Sequence, residues 1–342
     1  MPLTSLRPVG GGIALIVIAS IFIPLTVLTV ALRLWARQKL RQKLELNDYL
    51  ILIGAIFAVA NAVLTIVGVI YGGVGRHQQE ALALYPTLAK VTLGLALLWT
   101  LANTFVKLSI IHLYMVIFKT RRFRYASYAV TFLTIGYCVT NCVQNLLTCR
   151  PVAFNWDKTI PGGRCSTQRS PFLASAIINM SIDVIIFALP MPMLWRLHLN
   201  QKKKIPLIII FGLGFLICIL SAIRTSSIAR LNYVDYSYSV LPDGIYSVLE
   251  PCCGTINACL PMLQPVVSKI VQTRFISRLR GISRSTAPAP SLAKVHNSNP
   301  GTIGSSGNKQ RFIRIDEEIT ITHEDEYPLT NISSTRERRQ EF

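Results

Sequence analysis

Four ionisable side chains, Lys107, Asp183, Arg224 and Glu250, stand inside long apolar stretches where no water is at hand to solvate a charge. Such a group costs roughly 2.5 to 3.5 kcal/mol to place in a hydrocarbon core, so it turns toward other helices and finds a partner. Counting about 1.5 Å per helical residue from the basic residue at the end of each stretch puts Lys107 and Asp183 about 18 and 19 Å deep, and Arg224 and Glu250 about 30 and 28 Å deep. Matched depth and opposite sign predict two ion pairs, Lys107 with Asp183 near mid-membrane and Arg224 with Glu250 near the far face. The chemistry open to this set is binding. With Trp99, Asn103 and Asn179 at neighbouring positions, the seven residues form a candidate ligand pocket in which a polar molecule competes for a pair. The plainer alternative is that the pairs only neutralise one another and lock the helices together.

Catalytic chemistry has less to work with. A metal-dependent hydrolase needs several histidines and acids converging on one zinc, yet His112 is the only histidine in an apolar stretch, and His77 and His198 fall at opposite ends of the spans. None of the eight cysteines forms a Cys-x-x-Cys pair. No catalytic residue, metal site or cofactor is expected, and no enzymatic activity. Asp48, where the second apolar stretch begins, suits a helix cap, because a carboxylate satisfies and complements a helix N-terminus.

The elements that position these residues follow from composition. Of 342 residues 51% are hydrophobic and 15% charged, against about 25% charged in soluble domains. Seven stretches reach the roughly 20 apolar residues that cross a bilayer: about Gly11 to Leu32, Tyr49 to Tyr71, Val91 to Phe118, Tyr125 to Leu147, Phe172 to Trp195, Ile205 to Ile228 and Tyr246 to Ile270. The fold class expected is therefore all-α, a polytopic seven-transmembrane-helix bundle with a disordered C-terminal tail. Residues 1–10 form a short extracellular N-terminus, 11–270 the helical domain, 271–286 a basic juxtamembrane segment and 287–342 the tail.

The net charge of +19 invites a nucleic-acid partner, but its placement argues otherwise. The tail from 271 carries only +3, and the rest is concentrated in short links. Arg33, Arg37, Lys39, Arg41 and Lys43 follow the first span, Lys119, Arg121, Arg122 and Arg124 the third, and Arg196 with Lys202, Lys203 and Lys204 the fifth. The alternate links are sparser. By the positive-inside rule the N-terminus is outside and the C-terminus cytosolic, most naturally in the plasma membrane. A cleaved signal peptide is disfavoured, because the basic cluster follows the first span instead of leading it. Val271, Phe275 and Leu279 repeat at helical spacing opposite Arg274, Arg278 and Arg280, which fits either an amphipathic helix on the inner leaflet or a continuation of the seventh helix. On this topology the sequon Asn331-Ile332-Ser333 faces the cytosol and stays bare.

Cys149 and Cys165 bracket the longest outer link, in an oxidising compartment where a disulfide persists. The simplest reading is a bridge between them that closes the loop over the bundle mouth, and the competitor is a bridge from either to Cys252 or Cys253. Cys218 and Cys259 read as small packing residues.

Read together, Arg33-Leu34-Trp35-Ala36-Arg37 before Asn47-Asp48-Tyr49, Gly73-Val74-Gly75-Arg76-His77, Lys107-Leu108-Ser109-Ile110 with Tyr114 and Ile117-Phe118, Cys149-Arg150-Pro151-Val152 with Trp156, Asn179 and Asp183 before Leu189-Pro190-Met191-Pro192, Gly214, Cys218, Ser221 and Arg224, then Asp235, Tyr238, Glu250 and Cys259-Leu260-Pro261 resemble one family. This is the fungal rhodopsin-domain group of seven-helix integral membrane proteins, which includes pathogenesis-associated receptor-like members. The resemblance runs from about Arg33 to Pro265. The chain departs from the family's habits at Asn47, where two acids usually stand together, at Val116, often arginine, and at Val248, often aromatic. The short N-terminus lacks the cysteine-rich module of some relatives. Retinal is not implied, because the seventh span has no lysine before Lys269. Nor are the Asp-Arg-Tyr and Asn-Pro-x-x-Tyr signatures of animal G-protein-coupled receptors present.

The function expected is a receptor-like sensor of an extracellular small molecule or surface cue, with a G protein or other cytosolic partner at the basic links and tail. The alternative is a transporter or exporter of a small metabolite, disfavoured because the chain shows no internal repeat or paired broken helices.

Overall fold

The computed structural model describes residues 10–75, 85–166, 169–195, 201–231 and 236–284. Arg76, His77, Arg196, His198, Asp235 and the tail with its sequon lie outside the described residues. Among the described residues seven long helices carry the fold: α1 (Gly10–Lys39), α2 (Leu46–Gly72), α3 (Tyr85–Ile117), α4 (Arg121–Leu147), α5 (Arg169–Ala188), α7 (Gln201–Ala229) and α9 (Leu241–Arg284), with short helices α6 (Met191–Trp195) and α8 (Tyr236–Ser239) before α7 and α9. Six of the seven are long and apolar enough to cross a membrane. The exception is α9. It packs against α1, α2, α3 and α7, so protein takes the place of lipid around much of its surface and polar residues such as Glu250, Thr255 and Asn257 are buried there.

Local sequence accounts for the helix ends. Glu45 caps α2 and Asp48 completes a capping box, its carboxylate accepting the Glu45 N–H at 2.9 Å. Gly73 ends α2 in the left-handed conformation, φ 71°, which glycine adopts without a Cβ penalty. Pro86 and Pro242 stand at the second position of α3 and α9, where a missing N–H has no intrahelical partner to lose. Pro24 sits within α1, a position lipid-embedded helices tolerate when neighbours re-satisfy the backbone. At 44 residues α9 would extend about 66 Å, roughly twice the hydrocarbon thickness. Its backbone runs unbroken through residues 271–284, so that segment continues the seventh long helix.

The packing is polar inside and apolar outside. Arg33, Asn47, Asp48, Asn61, Lys107, Asn179, Asp183 and Glu250 are buried, while Ile21, Ile56, Phe132 and Phe215 are exposed. Among water-soluble proteins so broad an apolar exterior would drive association; against acyl chains it is the stable arrangement. Two apolar clusters hold the centre. One gathers Val30, Ile51, Val106, Ile111, Ile182 and Cys259, and the other is Ala19, Ala58, Ala62, Ala102, Val248 and Cys252. Small residues there let backbones approach, which is how lipid-embedded helices gain packing energy.

Candidate ligand site

Helical spacing sets the site. Trp99, Asn103 and Lys107 recur every four residues on α3, Asn179 and Asp183 on α5, Ser221 and Arg224 stand three apart on α7, and Asp243 and Glu250 seven apart on α9. Each set falls on one face of its helix, and the faces converge.

At the centre Lys107 Nζ lies 3.1 Å from Asp183 Oδ1 and donates to Asn179 Oδ1. The other end of the Asn179 amide points the opposite way, its Nδ2 donating to Glu250 Oε1 at 2.8 Å and to Asp183 Oδ2 at 3.3 Å. Ser221 Oγ stands 2.7 Å from Asp183 Oδ2 and 3.1 Å from Glu250 Oε1. The two expected pairs thus belong to one network. Arg224 supplies its upper end, with Nε 3.0 Å from Asp243 Oδ1, Nη1 3.7 Å from Glu250 Oε2, and the guanidinium 3.6 Å above the Trp99 ring. That ring attracts the cation through its π face.

Above this network, at the end of the bundle bearing Cys149 and Cys165, lies a cavity of about 110 Å³, room for several waters where one needs roughly 10–15 Å³. Leu15, Leu95, Phe172, Ile228 and Leu231 give it apolar walls, and Trp99, Arg224, Asp243, Asn141, Ser175 and Ser247 its polar positions. On the α4 and α5 side Asn141 Nδ2 donates to Tyr137 Oη at 2.7 Å and to Ser175 Oγ.

Of the seven residues expected at a ligand pocket, Trp99 and Arg224 line this cavity. Lys107, Asn179, Asp183 and Glu250 lie beneath it, each at least nine-tenths buried. Asn103 is also buried, but its amide donates to the Trp99 carbonyl at 3.3 Å on its own helix. Asp243 and Ser221 complete the network and were not among the expected residues. Asp243 precedes the apolar run that hydropathy reads as a span. Its place two helical turns before Glu250 was the available signal.

A second buried cluster occupies the opposite end. Arg33 Nε lies 2.8 Å and Arg37 Nε 3.0 Å from the two oxygens of Asp48. Arg33 Nη1 also donates to the Ala258 carbonyl, and Ser109 Oγ to the Asn47 carbonyl at 2.8 Å. Two arginines that the sequence offers as orientation charges are therefore also a clasp joining α1, α2, α3 and α9. Asp48 caps its helix as expected and pairs as well.

The outer link is a compact unit. A short antiparallel hairpin, β1 (Cys149–Arg150) with β2 (Arg164–Cys165), sets Cys149 opposite Cys165, and the two form the disulfide. Cys252 and Cys253 are buried free thiols on α9, which excludes the competing bridge. Lys90 of α3 stands 5.6 Å from the Trp156 ring centre, tying the loop to the bundle. Hydrogen bonds from the Thr159 backbone and hydroxyl hold the Asp157 carboxyl below its usual range. No group of three His, Cys, Asp or Glu able to hold a metal occurs among the described residues.

Residues 32–269 match the family described as the fungal rhodopsin domain. The chain is 30% identical over 176 residues to a Gibberella zeae protein named "Fugralins biosynthesis cluster protein 2", a match covering 50% of this chain and 43% of that relative. It is 26% identical to "Polyenoic acids biosynthesis gene cluster protein Ba17b" of Metarhizium anisopliae, over 76% of this chain and 75% of that one. It is likewise 26% identical to "Receptor GIN3" of Arthrobotrys oligospora, over 80% of this chain and 68% of that one.

Proposed function

The chain belongs to the fungal rhodopsin domain family, and on that premise we propose that it is a receptor-like sensor of a small molecule, held in the plasma membrane with the hairpin loop outside and the C-terminus in the cytosol. In this reading α9 is the seventh crossing, and a cytosolic partner meets the basic links. The observation that carries it is the cavity at the hairpin end, whose polar wall is the upper end of a charge network reaching mid-bundle. A ligand that binds one arrangement of that network better than another shifts the helices toward it. The relatives named for fugralins and polyenoic acids biosynthesis clusters support a small metabolite as the cue, and the relative named a receptor supports sensing over transport. Beneath the cavity Lys107 and Asp183 are 5% and 7% exposed, a packing that favours a sensor over a through-path.

Two measurements on vesicles and cells separate sensing from transport. Vesicles containing the protein should take up labelled small metabolites no faster than empty ones, and culture extract should drive recruitment of a cytosolic partner to cells expressing it. Saturable uptake that vanishes in Asp183→Asn would overturn the sensor reading in favour of a transporter.

A further inference from the structure

With every carboxyl counted as ionised, the buried network among the described residues is not electrically balanced. Three carboxylates, Asp183, Glu250 and Asp243, share two cations, Lys107 and Arg224. Lys107 and Asp183 satisfy each other, which leaves Arg224 between two acids. It sits closer to Asp243, and Glu250 Oε2 is left buried without a hydrogen-bond partner. Of the two acids Asp243 is the one the cavity reaches, with its side chain 21% exposed against 1% for Glu250. No other charged residue joins Arg224 and Asp243 in the cavity wall among the described residues, and Arg230, at the end of α7, is exposed.

We infer that the cavity takes a small monocationic amine, whose ammonium pairs with Asp243 and frees Arg224 to close on Glu250. The inference rests on the cavity being the ligand site. An anion is the wrong occupant, because drawing Arg224 to itself would leave Asp243 and Glu250 facing one another unpaired in a low dielectric. A cation supplies the missing charge and leaves every acid with a partner. It also explains how occupancy at the rim is felt at mid-bundle. Arg224 moves from Asp243 toward Glu250, and Glu250 is tied by Asn179 and Ser221 to Asp183 and so to Lys107.

The test uses the full chain in lipid nanodiscs and three probes of one length, n-hexylammonium, n-hexanol and n-hexanoate, with the thermal unfolding midpoint as readout, since a ligand that binds only the folded state raises it. Hexylammonium should raise the midpoint saturably at concentrations at least tenfold below those hexanol needs, and hexanoate should not raise it. Asp243→Asn should remove that preference. Arg224→Gln, which leaves two acids without their cation, should strengthen the hexylammonium response, whereas an anion site would lose its response in the same variant. If either variant fails to fold, the probe order in the unaltered protein still decides. An equal or larger response to hexanol or hexanoate overturns the inference and leaves the cavity as a ligand site. No response to any probe overturns both.

Discussion

The weight of a buried charge shows when its partner is removed. Taking one member from a buried pair costs about 3–5 kcal/mol, far more than the pair itself contributes, because the survivor is left uncompensated. Lys107→Asp and Asp183→Lys should therefore each sharply lower the amount of folded protein at the cell surface, and the two together should restore part of it. A double variant no better than either single one would remove the pairing. At the other end, magnitudes separate two roles for Asp48. A capping contribution alone predicts a loss of about 1 kcal/mol, whereas unpairing the fully buried Arg33, whose carboxylate partner is Asp48, predicts about 3–5 kcal/mol. Asp48→Asn should accordingly lower the unfolding midpoint in detergent several times more than Glu45→Ala at the cap position, and equal effects would reduce Asp48 to its capping role. The Lys107 and Asp183 pairing was legible because depth and sign can be counted along a sequence. The clasp was not, because Arg33 and Arg37 also satisfy the orientation rule, and nothing in one sequence says that a boundary arginine turns inward.

Helices in this bundle approach where a side chain is missing. A Cβ at Gly54 of α2 would stand 3.1 Å from Val106 Cγ2 and 3.2 Å from the Val106 backbone nitrogen, and one at Gly254 of α9 would stand 2.9 Å from Val106 Cγ1. Val106, 2% exposed, is thus held between two glycines of different helices. Gly54→Val should destabilise by about 1–3 kcal/mol, the usual cost of overpacking. Because part of its clash is with backbone, Val106→Ala should not relieve it. Gly254→Ala meets only the Val106 side chain, so Gly254→Ala with Val106→Ala should be less unstable than the two single losses added together. A double-mutant cycle on the unfolding midpoints checks both, and the same coupling for the two glycines would refute the distinction. At this scale the sequence was informative where lipid surrounds a helix, since apolar length is then required of it. It was least informative for α9, whose neighbours are mostly protein. Hydropathy reads its start near Tyr246, but the helix begins at Leu241, and those extra residues bring Asp243 to the cavity.

For the molecule as a whole, composition and burial answer to the same solvent. The sequence gathers its charge excess in short links, the large apolar side chains cover the outside, and the polar ones fill the interior. Membrane residence is written in that inversion, and the sequence announces it through its 15% of charged residues. Orientation depends on a different quantity, the asymmetry of Lys and Arg between the two ends, which acts during insertion and leaves no contact to inspect. It can be measured through glycosylation, which occurs only on the side opposite the cytosol. With the hairpin loop outside, an acceptor sequon introduced at Asp157→Asn, which Lys158-Thr159 completes, should gain a glycan and a slower electrophoretic band that glycosidase removes. The same chain should carry no glycan at Asn331, although its sequon is intact. A glycan on Asn331 and none at position 157 would mean that the basic links face outward. The cavity would then open to the cytosol, and the cue it senses would have to come from inside the cell.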